Sequence, residues 1–308
     1  GEGFHEHPGG AHAEVAALAD ARDRHHDVRG ATVYVSLEPC NHHGRTGPCS
    51  RALIDAGVAR VVFAMRDPYP PAQGGAEALA AAGIDVGEGV MEDEARDLNI
   101  GFVSNVTRGT PWVRSKLAAS LDGRTALVDG QSQWITGREA RADGHAWRAR
   151  ACAILTGIGT VIQDNPWLTV RDIATSRQPL RVVIDRRGET PSDARVLADA
   201  NALIVTGDAP AARSFGNVEV LALPNAQGRV DLAALLHVLA QRGINEVHVE
   251  AGAKLNGALL DAGLIDELLV YLAPSILGDP ARGMAEFPSP LSVLSARVPL
   301  AFHRIDRI

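Results

Sequence analysis

Apolar and polar positions alternate along this chain in two different rhythms. Thr32 to Leu37, TVYVSL, has period two and predicts a strand. Glu14 to Arg24 instead sets Val15, Leu18 and Ala19 on one helical face. Ser50 to Ala56, Ala76 to Ala82 and Glu92 to Phe102 predict further helices, Val58 to Met65 a second strand, and Ile84 to Val86 a short third one. A helix between the first two strands makes them parallel neighbours, since parallel pairing needs a crossover. The rhythm breaks at Thr107 to Pro111, TRGTP, the expected linker. It resumes with strands at Trp112–Leu121, Ala151–Gly157, Leu180–Asp185, Ala202–Thr206, Val218–Ala222, Glu246–Glu250 and Glu267–Leu272. Asp122-Gly123-Arg124 reads as a turn, and Glu139–Arg150, Leu232–Arg242 and Leu255–Ala262 as helices. Helices between strands give an α/β class, expected as two domains, 1–108 and 109–308.

Composition narrows the function. The 308 residues suit roughly two domains, and 46% apolar content is ample for packed cores. A net charge of −7 argues against a nucleic-acid partner, which would select a basic face, but leaves a small anionic substrate open. Three cysteines, two of them in one motif, point to a reducing, cytoplasmic compartment rather than a disulfide framework. The third, Cys152, falls in an apolar run and reads as core. No apolar run is long enough to span a bilayer.

The candidate chemistry lies around EPCNHHGRTGPC, Glu38 to Cys49, with His12 and Glu14 upstream. His12, Cys40 and Cys49 are zinc ligands by type, and three protein ligands leave the fourth tetrahedral position for water. Glu14, two residues after the histidine, would carry the proton from water to a leaving amine. A His-x-Glu followed by Pro-Cys and a second cysteine is the signature of zinc deaminases. Nucleic-acid deaminases place two residues between the cysteines, whereas eight stand between Cys40 and Cys49. The insert sets His42, Arg45 and Thr46 beside the metal, with donors suited to a substrate phosphate. A closed structural zinc is the competing reading, with His42 the only near candidate for a fourth ligand. His5, His7, His25, His26 and His43 read as solvated.

Past residue 109 there is no GxGxxG fingerprint. Two strand-to-helix junctions stand in its place: Leu155 to Thr160, leading on to Asp164 and Arg171, and Val249 to Leu255. Small residues there let a ligand approach backbone N–H groups at a helix start.

EPCNHHGRTGPC resembles the bifunctional riboflavin-biosynthesis deaminase/reductase family, although Gly47 replaces a proline common there. Lys116 to Ala126 (KLAASLDGRTA), Ser132 to Thr136 (SQWIT), Thr160 to Arg171 (TVIQDNPWLTVR) and Val249 to Leu260 (VEAGAKLNGALL) resemble its reductase half, in the same order. The resemblance implies a cytidine-deaminase-like sandwich followed by a dihydrofolate-reductase-like domain, with Zn2+ and NADPH. It implies NADPH contacts at Ala118, Trp134, Thr160, Asp164 and Arg186. The same role is implied for the turn Gly252, Ala253, Lys254, Leu255, Asn256, Gly257 and Ala258, where residues 253 and 254 depart from common members. Substrate contacts are implied at Ser132, Arg148, Leu168, Arg171 and Glu250. The expected substrate is a phosphorylated pyrimidine, and a homo-oligomer is expected. Family members carry a helix and two strands before the stretch GEGFHEHPGG, which reads as a strand tail and a turn, and one more strand after AFHRIDRI. Three other readings stay open here: a reductase with a vestigial deaminase domain, a zinc nucleobase deaminase with an accessory domain, and a non-catalytic metal- and nucleotide-binding protein.

Overall fold

The computed structural model describes residues 1–7, 9–44, 46–208 and 214–308. The chain forms two compact units, Gly1–Arg108 and Gly109–Ile308.

In the first unit the order is α1 (Ala13–Asp23), β1 (Thr32–Leu37), α2 (Cys49–Ala56), β2 (Arg60–Met65), α3 (Gly75–Ala81), β3 (Asp85–Glu88), α4 (Glu92–Leu98) and α5 (Ile100–Arg108). The strands are parallel in the order β1-β2-β3. Central β2 is buried from Val61 to Met65, as a strand covered on both faces must be. Leu53, Val58, Val61, Leu79 and Ile84 form the core between α2, α3 and the sheet. Gly57, at φ 72°, ends α2 in the left-handed conformation that glycine adopts without a Cβ clash.

Three expectations change here. The single helix expected over Glu92–Phe102 is two helices, because Asn99 turns its amide back onto Ala95 O at 2.8 Å and closes α4. The expected linker at Thr107 begins later, because α5 continues through Arg108 and leaves only Gly109, Thr110 and Pro111 before the next strand. Residues 1–6, expected to end a strand, have no regular structure and lie against α1, so closely that a Cβ on Gly1 would stand 2.1 Å from Ala17 O.

The second unit runs β4 (Trp112–Ser120), β5 (Arg124–Ala126), α6 (Arg138–Arg150), β6 (Ala153–Gly157), α7 (Ile158–Asp164), β7 (Leu180–Ile184) and β8 (Ala202–Thr206). It continues with β9 (Glu219–Ala222), α8 (Leu232–Gln241), β10 (Glu246–Val249), α9 (Ala253–Asp261), β11 (Glu267–Ala273) and β12 (Arg282–Gly283). Seven strands make one parallel sheet, β11-β4-β10-β6-β7-β8-β9, and β5 pairs antiparallel with β12. Leu155, Val182, Val205, Leu235, Leu239, Val247 and Leu259 fill one core under α8 and α9. Asp231 caps α8, accepting from Ala234 N at 2.9 Å. Because every strand of the large sheet runs the same way, the carboxyl ends of β4, β10, β6 and β7 lie side by side. That edge is where open α/β sheets bind ligands. Among the described residues no helix is long and apolar enough to cross a membrane.

Candidate active sites

In the first unit, three elements converge on one point. His12 is the N-cap of α1, Cys40 follows the end of β1, and Cys49 opens α2. His12 Nδ1 lies 3.5 Å from Cys40 Sγ and 3.3 Å from Cys49 Sγ, and the three ligand atoms are all within 4.8 Å of one another. Zinc bonds of about 2.3 Å to sulfur and 2.0 Å to nitrogen need donor separations of this size, so the donor set fits tetrahedral zinc. Cys40 is held in place by the residue two before it. Glu38, 2% exposed, accepts from Ala76 N at 3.1 Å and Asp67 N at 3.3 Å. Gly75 makes room for this turn, since a Cβ there would lie 1.7 Å from Pro39 O.

Cys40 is lowered to about 5 by the thiol hydrogen bond from Cys49, helped by the Cys49 backbone N–H at 3.4 Å and by His12. Cys49 is raised, first by giving that bond, then by burial and the charge of Glu14. Glu14 stands in the first turn of α1, buried against Cys49, and burial raises its carboxyl. A cavity of about 140 Å³ opens beside the ligands, lined by His5, His12, His42 and Thr46 with Gly9, Gly10 and Gly44. His42 and Thr46 therefore flank the metal position, while Arg45 lies outside the described residues.

In the second unit, the two strand-to-helix junctions of the sequence are neighbours, because β6 pairs with β10. A Cβ built on Gly252 would find Thr160 Oγ1 as its nearest atom, 4.0 Å away, and one on Gly157 would meet Leu255 at 3.4 Å. Gly252 is the N-cap of α9, so the first-turn N–H groups after it lack intrahelical acceptors. An open cradle at a helix start fits a dinucleotide phosphate. Not all of the expected turn faces that cradle. The Asn256 side chain is buried and bonded to Ser115, Ala251 and Met284. Gly257 is small for packing, since a Cβ there would lie 1.9 Å from Glu286 O.

Glu250 follows β10 and faces Arg148 of α6. Arg148 donates from Nε and Nη2 to the two carboxylate oxygens, and from Nη1 to Thr169 O at 3.1 Å. Its fork is thus engaged within the protein, whereas Arg171 is exposed and its guanidinium donates to Thr169 Oγ1 at 3.5 Å. Leu168, expected at the substrate, is 2% exposed and packs with Ile154, Val161 and Val183, so its side chain belongs to the core. Trp134 is 70% exposed beneath the Arg141 guanidinium. Arg186, just past β7, donates to Gly228 O at 2.9 Å. Ala118, on β4, and Ser132 are half-buried, and Asp164, the last residue of α7, is exposed.

Residues 111–298 match the RibD C-terminal domain, and residues 2–65 match the cytidine and deoxycytidylate deaminase zinc-binding region. The riboflavin biosynthesis protein RibD of Escherichia coli K12 is 46% identical over 302 residues, 94% of this chain and 82% of that protein. The chain belongs to the RibD family. RibD of Haemophilus influenzae is 42% identical, over 94% of this chain and 80% of its own. Among solved structures, Acinetobacter baumannii RibD superposes with a TM-score of 0.85 at 43% identity, covering 97% of this chain and 83% of that one. A diaminohydroxyphosphoribosylaminopyrimidine deaminase/5-amino-6-(5-phosphoribosylamino)uracil reductase from Thermotoga maritima also reaches 0.85, at 37% identity over 94% and 81%. The RibD architecture is the expected one, a cytidine-deaminase-like unit followed by a dihydrofolate-reductase-like unit.

The sequence assigned no role to Lys116 of this RibD chain. Lys116 of β4 is half-buried, its ammonium 5.7 Å from the Tyr271 ring centroid, and its charge acts on Glu250. The available signal was a lysine inside the strand Trp112–Ser120, where Arg114 is the other charged residue. His5, read as solvated, is exposed, and its ring also stacks edge-on against His12 with centroids 5.3 Å apart and lines the cavity beside the ligands.

Proposed function

We propose that this chain performs two consecutive steps of riboflavin biosynthesis. The first is hydrolytic deamination of 2,5-diamino-6-(5-phosphoribosylamino)pyrimidin-4(3H)-one. The second is NADPH-dependent reduction of the ribosyl group to ribityl. The observation that carries this reading is the open three-ligand set His12, Cys40 and Cys49 with a buried carboxylate beside it, in a chain that also holds the RibD reductase unit. Zinc, when bound, supplies the Lewis acidity that makes water nucleophilic at neutral pH. Glu14 takes the water's proton and delivers it to departing ammonia, the work of a general acid–base positioned by α1. His42 and Thr46 hold the substrate's phosphate at the mouth of the cavity, and Arg45, between them in sequence, is a further phosphate donor by type.

In the second unit NADPH supplies the hydride, and the protein supplies position. Gly252 to Leu255 and Thr160 receive a cofactor phosphate, with Asp164, Ala118 and Trp134 along the cofactor and Arg186 reaching for the 2′-phosphate. Glu250 accepts hydrogen bonds from the substrate, Lys116 adds a second polar contact beside it, and Arg171 meets the substrate phosphate. Arg148 orients Glu250. The free Cys40, Cys49 and Cys152 suit a reducing, cytoplasmic setting.

Ammonia release and NADPH oxidation, followed together on the zinc-loaded chain with the diaminopyrimidinone phosphoribosyl substrate, test the reading. Both signals are expected, in that order. NADPH oxidation only when deaminated substrate is supplied would leave a reductase with a vestigial first unit.

A further inference from the structure

The segment Leu168 to Asp172 carries Arg171, yet it belongs to no strand. It starts from a left-handed residue, Leu168 at φ 51°, a conformation that persists only where the surroundings enforce it. Side chains provide that enforcement. Gln178 brackets Val170 from one side, accepting from its N–H at 2.8 Å and donating to its carbonyl at 3.0 Å. From the other side α6 presents His145 and Arg148, three residues apart and therefore on one face. Arg148 holds Thr169 O, and His145 Nδ1 accepts from Arg171 N–H at 3.4 Å. His145 Nε2 lies 3.4 Å from Asp172 Oδ2. One buried imidazole thus grips the peptide of Arg171 and the side chain of the next residue.

We propose that His145 is a positioning residue for the reduction: it fixes the backbone of Arg171 so that the exposed guanidinium meets the substrate's phosphate. The inference rests on the reading of Arg171 as the phosphate contact. The imidazole must carry its proton on Nε2, because Nδ1 accepts and Asp172 can only receive. Four charged groups face it: Arg148 on α6, Arg171 and Asp172 on the segment, and Glu250 beyond β10. Burial, then the Arg148 charge, lowers the imidazole below its ordinary range, with Asp172 and Glu250 acting against this. It therefore stays neutral near pH 7 and keeps its acceptor. A merely structural histidine would serve every substrate alike, whereas this one should matter for phosphorylated substrate above all.

The test uses the whole chain and two substrates, the deaminated phosphoribosyl compound and its dephosphorylated form. His145→Asn sets an amide oxygen where Nδ1 now accepts, and His145→Gln and His145→Leu do not. Expected is a loss of roughly tenfold in kcat/KM preference for the phosphorylated substrate in His145→Gln and His145→Leu, carried by KM, the scale of one contact to a charged group. NADPH affinity should stay near wild type, and His145→Asn should return the preference to within about threefold. A His145→Leu chain with wild-type preference, or one slowed equally on both substrates, overturns the proposal. Should that variant fail to fold, the Asn and Gln variants decide, and equal behaviour of those two overturns it. Arg171→Ala is run beside them. Unchanged phosphate preference in Arg171→Ala means the Arg171 reading itself has failed, while its loss there without loss in His145→Gln rejects the role of His145 alone.

Discussion

Arg148 closes on Glu250 with both ends of its guanidinium: Nε donates to Oε1 at 2.5 Å and Nη2 to Oε2 at 2.8 Å. The side chains are 14% and 15% exposed, so the pair is shielded and each charge depends on the other. Burial alone would raise Glu250. The Arg148 charge and hydrogen bonds, with Lys116 and His248, outweigh that and hold it well below the usual carboxylate range.

A depressed carboxyl contributes stability that is present above its unfolded pKa, about 4.3, and is lost as pH falls through the folded value. Glu250→Gln should therefore melt below wild type at pH 7, with the gap closing in strong acid. Arg148→Ala should cost more, on the order of 3–5 kcal/mol, because it strands a buried anion. Thermal melts at several pH values check both. In kinetics, Glu250→Gln should raise KM for the reductase substrate with NADPH affinity little changed.

Glu14→Gln should keep zinc and lose deamination by about 10²–10⁴-fold, the usual scale of a general acid–base. The substitution leaves His12, Cys40 and Cys49 untouched and removes only a proton carrier. Metal analysis and ammonia release on the same sample check it. Loss of zinc in that variant would make Glu14 a ligand instead.

Gly252→Val and Gly257→Ala should fail in opposite ways. The space over Gly252 is open to 4.0 Å, so valine should leave the fold intact and block NADPH, read by fluorescence titration. A Cβ on Gly257 would lie 1.9 Å from Glu286 O, so even alanine should destabilise the fold, by about 1–3 kcal/mol of overpacking, and lower the melting temperature.

Chelation of zinc from the whole chain should abolish ammonia release and leave reduction of supplied deaminated substrate unchanged. The candidate metal ligands all lie in the first compact unit and the proposed dinucleotide cradle in the second. Parallel loss of both activities in a chain that stays folded would reject this separation.

The metal set was legible because its residue types are few and their chemistry narrow. His12, Glu14, Cys40 and Cys49 could be named from spacing alone, and the strands came from period-two and apolar runs. What escaped was set by tertiary partners. The sequence does not show that Asn99 folds back on Ala95 and splits a helix. Nor does it show that Leu168 turns into the core while Arg171, three residues on, faces out. Arg148 was expected at the substrate, but the Glu250 carboxylate at the end of β10 already occupies its fork. Lys116 opens the stretch KLAASLDGRTA and His145 belongs to no motif, and only the fold places them beside Glu250 and Arg171.

The insert between the two cysteines is pinned at its base. Ser50 N–H donates to Cys40 O at 3.1 Å, Ser50 Oγ to Asn41 Oδ1 at 2.7 Å, and Leu53, fully buried, anchors α2 behind them. Cys49 is thus placed by helix packing and not by the path of residues 42 to 47. Lengthening such a loop adds little closure entropy, about 0.6 kcal/mol per doubling. On the proposed role of His42 and Thr46, the loop can therefore be retuned for a different substrate without moving Cys49.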